Sequence, residues 1–170
     1  MQKYFFIIFL SFILMVPAFS AGGDGNSEKS SGSNLGVKKL DNYEFAVRKI
    51  NKAKKLEKKG KTVKAAKYYQ KALDYLLKAN AEKPANPDIL NYLGFSNRKL
   101  GNYDDAEIYY LLGLEINPMH IGINEYLGEL YVETNRIVKA EERLNVIKNC
   151  NCEEYVELKE IIDGANRSSY

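Results

Sequence analysis

Cys150 and Cys152, one residue apart, are the residues whose spacing most directly invites chemistry. In an oxidising compartment two such thiols are expected to form a disulfide that pins a turn. A bridge across one residue closes a small, strained and reducible ring, so free thiols or links to another chain are the alternative. Thiol-redox or soft-metal work is a further reading, although two thiolates alone rarely complete a metal site. Nucleophilic catalysis needs a base beside the nucleophile, and the candidates are Ser96 and His120, the one His of the sequence. They fall on different predicted helices, and no glycine elbow surrounds Ser96. His120 is expected to stand exposed at a helix start. No glycine-rich loop has phosphate-cradling spacing, and no carboxylate pair stands out from the surface acids. No catalytic residue, metal or cofactor is therefore expected, and binding is the remaining class of work.

Binding depends on the elements that present it. The chain has 170 residues, 45% of them hydrophobic, and a net charge of +3. That length suits one domain, and the composition can fill a core. Met1–Ser20 has the three parts of a secretory leader. Lys3 is the positive start, Tyr4–Val16 the apolar stretch, and Pro17 precedes the small residues Ala18 and Ser20. Cleavage is expected after Ser20, which places the protein beyond a membrane, in the periplasm for a bacterial source. An uncleaved membrane anchor is the alternative, although the apolar run falls short of the ~20 residues a spanning helix needs. Residues 21–36 are rich in Gly and Ser and read as a disordered tether.

The body of the chain repeats itself. Leu93-Gly94 recurs as Leu127-Gly128, and the same offset pairs Tyr92 with Tyr126 and Ala106 with Ala140. A wider offset pairs Gly60 with Gly101, Ala65 with Ala106, and Tyr68-Tyr69 with Tyr109-Tyr110. Each unit reads as two helices. In the middle one Asn86 can cap and Pro87 suits the first helical position. Gly101-Asn102 breaks the chain, and Asn102 with Asp105 reads as the next cap. Ala53 and Ala65, Gly94 and Ala106, and Gly128 and Ala140 set small residues at matching places, where two antiparallel helices must come close. Cys152–Asp163 carries the apolar stripe Tyr155, Leu158, Ile161 and Ile162 and reads as a capping helix.

These residues resemble the tetratricopeptide repeat family. The middle unit supplies its Leu93-Gly94, Ala106, Tyr110, Gly113 and Pro118. The third supplies Leu127-Gly128, Tyr131 and Ala140, and departs with Leu144, Ile147 and Cys152. The first has Lys52-Ala53 for the Leu-Gly pair and keeps Ala65, Tyr69 and Ala72. The resemblance implies an all-α fold, a right-handed superhelix of about seven helices. Its repeats fall at about 42–81, 87–118 and 120–150, within a domain over 37–164, followed by a frayed tail at 165–170. It also implies a non-catalytic adaptor that holds a peptide or protein segment in a groove lined by the first helix of each repeat. On that register the groove residues are Ile50, Lys54, Asn91, Phe95, Arg98, Lys99, Glu125, Glu129 and Glu133. Phe95 is read as an exposed aromatic anchor, with packing on the neighbouring repeat as the alternative. Gly122, Glu125 and Tyr126 stand where some family members place basic groups, so a clamp for a terminal carboxylate is not expected.

Charge is polarised along this domain. Residues 38–83 carry +10 and residues 84–170 carry −7. A solvated outer face is the plain reading. The functional reading is docking of the basic first hairpin on anionic lipid, on an acidic partner, or on the acidic end of another copy. The cluster Arg48, Lys49, Lys52, Lys54, Lys55, Lys58, Lys59 and Lys61 would suit phosphates, but an exported, nearly neutral chain is not expected to bind nucleic acid.

Overall fold

Three turns of the backbone are built alike. In each, two amide groups after a helix reach back to its last carbonyls: Gly60 N to Glu57 O and Lys61 N to Leu56 O, then Gly101 N to Arg98 O and Asn102 N to Asn97 O, then Asn135 N to Val132 O and Arg136 N to Tyr131 O. This paired closure is the Schellman motif, which needs a left-handed residue just past the helix. Gly60, Gly101 and Asn135 take that place, with φ of 68°, 82° and 58°.

Those turns organise the computed structural model, which describes residues 40–168, with side chains to residue 165. The expected leader and tether lie outside the described residues. Among these residues there are seven helices and no strand: α1 Asn42–Glu57, α2 Thr62–Glu82, α3 Pro87–Lys99, α4 Tyr103–Ile116, α5 Ile121–Glu133, α6 Ile137–Ile147 and α7 Glu153–Ser168. The helices pack as the pairs α1/α2, α3/α4 and α5/α6, and each pair packs on the next. The first helices also touch, α1 on α3 and α3 on α5, and α7 continues that row by packing on α5. This is a helical-repeat superhelix.

Local signals fix most boundaries. Asp41 and Glu44 make a reciprocal capping box at α1, a D-x-x-E signal. Asn86 Oδ1 accepts from the amides of Asp88 and Ile89, and Pro87 opens α3. Asn102 differs from expectation. Its side chain makes no cap and instead donates to Asn97 Oδ1 at 3.2 Å. The capping helix also differs, since α7 starts at Glu153 and runs to Ser168, past the expected end at Asp163 and through most of the expected frayed tail.

Packing explains the small residues. A Cβ on Gly94 would stand 2.5 Å from the fully buried ring of Tyr110, so α3 meets α4 only because that atom is missing. A Cβ on Gly113 would collide with Ile123, the first buried apolar residue of the next repeat. The third repeat has Leu144 where the first two have Tyr69 and Tyr110, and its glycine is used differently. A Cβ on Gly128 would stand 2.6 Å from Cδ2 of Leu158, a fully buried side chain of α7. The capping helix thus fills the space that an aromatic of the second helix fills in the middle repeat. The apolar interior forms two clusters, one over α1–α3 and one over α4–α7, with Tyr126 packed against both.

The Gly128–Leu158 contact gives a coupled prediction. Leu158→Ala should cost about 2–5 kcal/mol for the cavity, and Gly128→Ala about 1–3 kcal/mol for overpacking. The double substitution should cost less than the sum, because the new methyl enters the vacated space. Urea unfolding of the four proteins measures this. Strict additivity would show that the contact does not hold α7 in place.

Candidate functional site

The nine expected groove residues do come from one row of helices. Ile50 and Lys54 lie on α1, Asn91, Phe95, Arg98 and Lys99 on α3, and Glu125, Glu129 and Glu133 on α5. Their exposure departs from expectation. Phe95 is 4% exposed, Arg98 5% and Glu125 3%, and Ile50 and Asn91 are also buried. The first helices approach one another, and α3 is covered from both sides. Large side chains at these positions therefore fill the inner face with each other.

Phe95 is not an exposed anchor. Its ring meets Tyr69 edge-on at 5.8 Å and Tyr126 at 4.9 Å between centroids. Lys54 Nζ caps this group, 4.6 Å from the Phe95 centroid, and donates to the Tyr126 hydroxyl at 3.5 Å. Four helices thus meet in one aromatic stack closed by a cation, an arrangement worth ~0.5–1 kcal/mol at a partly exposed site.

Arg98 sits beside that stack and is committed to its own chain. Its guanidinium pairs with Glu129 and Glu133 of α5. Burial works against its charge, but Tyr110, Glu129 and Glu133 outweigh that and hold it protonated. Burial pushes the Glu129 carboxyl up while Arg98 opposes the shift. Lys99 is paired with Glu57 at 3.2 Å, and the Tyr69 hydroxyl donates to the same carboxylate at 2.7 Å. These pairs join repeat to repeat. The spacing that could have revealed the Arg98 pairs is Glu129 and Glu133, one helical turn apart on the first helix of the next repeat.

The far end of the row is different. Glu125 and Tyr126 of α5 and Glu153, Glu154 and Glu157 of α7 line a cavity of about 200 Å³. No Lys or Arg pairs with these carboxylates among the described residues. Burial, then the charge of Glu129 and a hydrogen bond with Glu157, push the Glu125 carboxyl from its ordinary 4.5 up to about 9. Glu125 was legible as an inner-face residue, but the α7 acids were missed. Their signal was the continuation of the first-helix row into a helix read only as a cap.

The other chemical candidates are placed plainly. Cys150 and Cys152 are joined in a disulfide between α6 and α7, with Cα atoms 5.2 Å apart and Asn151 in the left-handed region at φ 51°. His120 starts α5 as expected but is not exposed. Its Nδ1 accepts from Ile123 N, its Nε2 lies 3.0 Å from Asp88 Oδ1, and its side chain is 15% exposed. Ser96 is buried in α3. Among the described residues, no group of three or more His, Cys, Asp or Glu could hold a metal ion, and no helix is long and apolar enough to cross a membrane.

Comparison with known proteins agrees with this architecture. Residues 87–120, α3 with α4 and the following turn, match the tetratricopeptide repeat model. Residues 43–94, which cover α1, α2 and part of α3, match the model of the MIT (microtubule interacting and transport) domain. No curated protein sequence matches the chain. A tetratricopeptide repeat protein from Parabacteroides merdae aligns over 72% of this chain and 60% of its own, at 19% identity and a TM-score of 0.52. The chain thus spans less than two thirds of that protein, and the likeness is one of fold. The first TPR of Spaghetti bound to an HSP90 peptide aligns over 72% of this chain and 94% of its own, at 21% identity and TM-score 0.45. The Yersinia enterocolitica type III secretion translocator chaperone SycD aligns over 82% and 96%, at 16% identity and TM-score 0.47. One repeat of the tetratricopeptide type is thus matched at the centre of the chain, the same helix pairing is carried to either side, and the fold is an all-α helical-repeat superhelix like that of the Parabacteroides merdae protein.

Proposed function

We propose that the chain is an exported, non-catalytic adaptor that binds a protein or peptide segment on its first-helix face, and that the segment carries Lys or Arg. The observation that carries this reading is the acidic cavity of Glu125, Glu153, Glu154 and Glu157, whose carboxylates have no cation of their own. Glu153, Glu154 and Glu157 hold like charges together around a Glu125 that keeps its proton, and a basic side chain entering the cavity relieves their repulsion. The middle of the face, sealed by Phe95, Tyr126 and the Arg98 pairs, is the wall that sets the register. Lys54, Lys99 and Glu133 are its accessible polar edge. Export is supported by the leader-like sequence of residues 1–20.

The test is a screen of random displayed peptides against the full chain and against Glu154→Lys/Glu157→Lys. Peptides enriched on the unaltered chain should carry Lys or Arg and bind the variant at least ~10-fold more weakly, a difference of about 1.4 kcal/mol. Enrichment of peptides without basic residues, or equal binding to both proteins, would contradict the reading.

The cavity also sets a pH dependence. The folded pKa of Glu125 lies above its unfolded value, so between 4.5 and about 9 the folded chain keeps a proton that the unfolded chain has released. Stability supplied by that proton is present below 4.5 and falls as pH rises through this window. Glu125→Gln should flatten that part of the profile and raise stability at neutral pH by on the order of 2 kcal/mol. Thermal unfolding across the window measures it, and an unchanged slope would remove Glu125 as the cause.

A further inference from the structure

The outer side of the domain, on the second helices, carries an unpartnered surface on α4. Ile108 is 55% exposed, and Leu111, Leu112 and Ile116 are each more than 40% exposed, on a helix whose other face is already packed. A helix apolar on both faces is one that expects cover on both. These four side chains form one stripe at helical spacing, long enough to be a docking surface rather than scattered apolar residues. The exposed charges beside it are Asp104, Asp105 and Glu115, with no cation on the helix itself, and Arg143 of α6 lies by Leu111 and Glu115 at one end. That rim repels an anionic lipid surface and selects a basic one.

The surface that matches lies on the second helix of the first repeat. From Lys64 to Lys78 the exposed charged residues of α2 are Lys64, Lys67, Lys71, Asp74 and Lys78, net +3 against −3 on α4. Val63 and Leu77 stand exposed at either end of this stripe. Lys71 and Lys78 lie over the rings of Tyr68 and Tyr75, at 5.7 and 5.8 Å, so the face combines cations with apolar area.

We propose that two copies of this chain pair through their second helices, α2 of each against α4 of the other. A two-fold axis running along and between these two helices produces both contacts at once, as an isologous interface requires. α2 and α4 do not touch within one chain, so the two helix-on-helix contacts are separate and together bury on the order of 400 Å² per copy, about half of what a stable interface uses. The dimer is therefore weak, concentration-dependent and loosened by salt. It makes no use of the first-helix face, so it stands or falls apart from the adaptor reading.

Sedimentation equilibrium of the full chain from its native host, over a wide concentration range at low and high salt, tests this. The mean mass should climb from monomer towards dimer with concentration, and less so at high salt. Lys67→Glu/Lys71→Glu leaves both helices acidic, and Asp104→Lys/Asp105→Lys leaves both basic, so each variant alone should remain monomeric. Mixed in equal amounts they should associate again, because both contacts of the mixed dimer are complementary. These substitutions are at exposed positions, and unchanged melting temperatures will confirm that both variants fold. A wild type that stays monomeric throughout, variants that still dimerise alone, or a mixture that does not associate would each overturn the proposal.

Discussion

The close approach of paired helices at positions where a side chain is missing is the constraint on which the rest of this structure depends. Gly94 admits the ring of Tyr110, Gly113 admits Ile123, and Gly128 admits Leu158. The first of these closes a pair, the second joins one repeat to the next, and the third attaches the end of the array. Each glycine costs ~1 kcal/mol of helix propensity relative to alanine. Burying a large side chain in the space it leaves contributes about 1.5–3 kcal/mol, which more than offsets that. The pattern is therefore set by what fits rather than by what favours helix.

Close pairing has a consequence on the inner face. Once α1, α3 and α5 stand side by side, their large side chains reach each other before they reach solvent. Phe95 then finds Tyr69 and Tyr126, and Arg98 finds Glu129 and Glu133. A buried guanidinium must be paired, since removing its partners would leave an uncompensated charge. Side chains that would be ligands in an open groove become the links between repeats. What is left for a partner is the edge of the face and its C-terminal end, where α7 lies next to α5 and has no further repeat beyond it among the described residues.

The helices and their pairing were legible because their signals are local. Asn86-Pro87, the Gly at the turn, and the apolar periodicity each act within one or two turns of helix. The repeat offset then carried these signals from the clear middle unit to the weaker first and third ones. Side-chain partners across repeats were not legible to the same degree. That Phe95 points inward was readable, but that three neighbours close over it depends on the distance between helices, which no single helix encodes. Asn102 shows the same limit at short range, for a good capping residue was drawn instead to Asn97. The expected end of α7 at Asp163 follows its apolar stripe, whose last member is Ile162, yet the helix continues through Gly164 to Ser168.

The distribution of charge follows from the same layout. Ion pairs that cross repeats, such as Lys99 with Glu57, Arg98 with Glu129 and Arg136 with Glu107, neutralise charges where helices meet. They leave the remaining excess at the ends and on the outer helices, basic on the first hairpin and acidic from α4 onward. The partly exposed pairs, Lys99 with Glu57 and Arg136 with Glu107, add little stability each. Their larger effect is to decide which charges stay free. The free acids of α5 and α7 face inward and those of α4 face outward, beside an apolar stripe. One polarised sequence thus yields two acidic surfaces of different texture. The first is a recessed cavity suited to single basic side chains, and the second is an apolar face with an acidic rim suited to a basic helix.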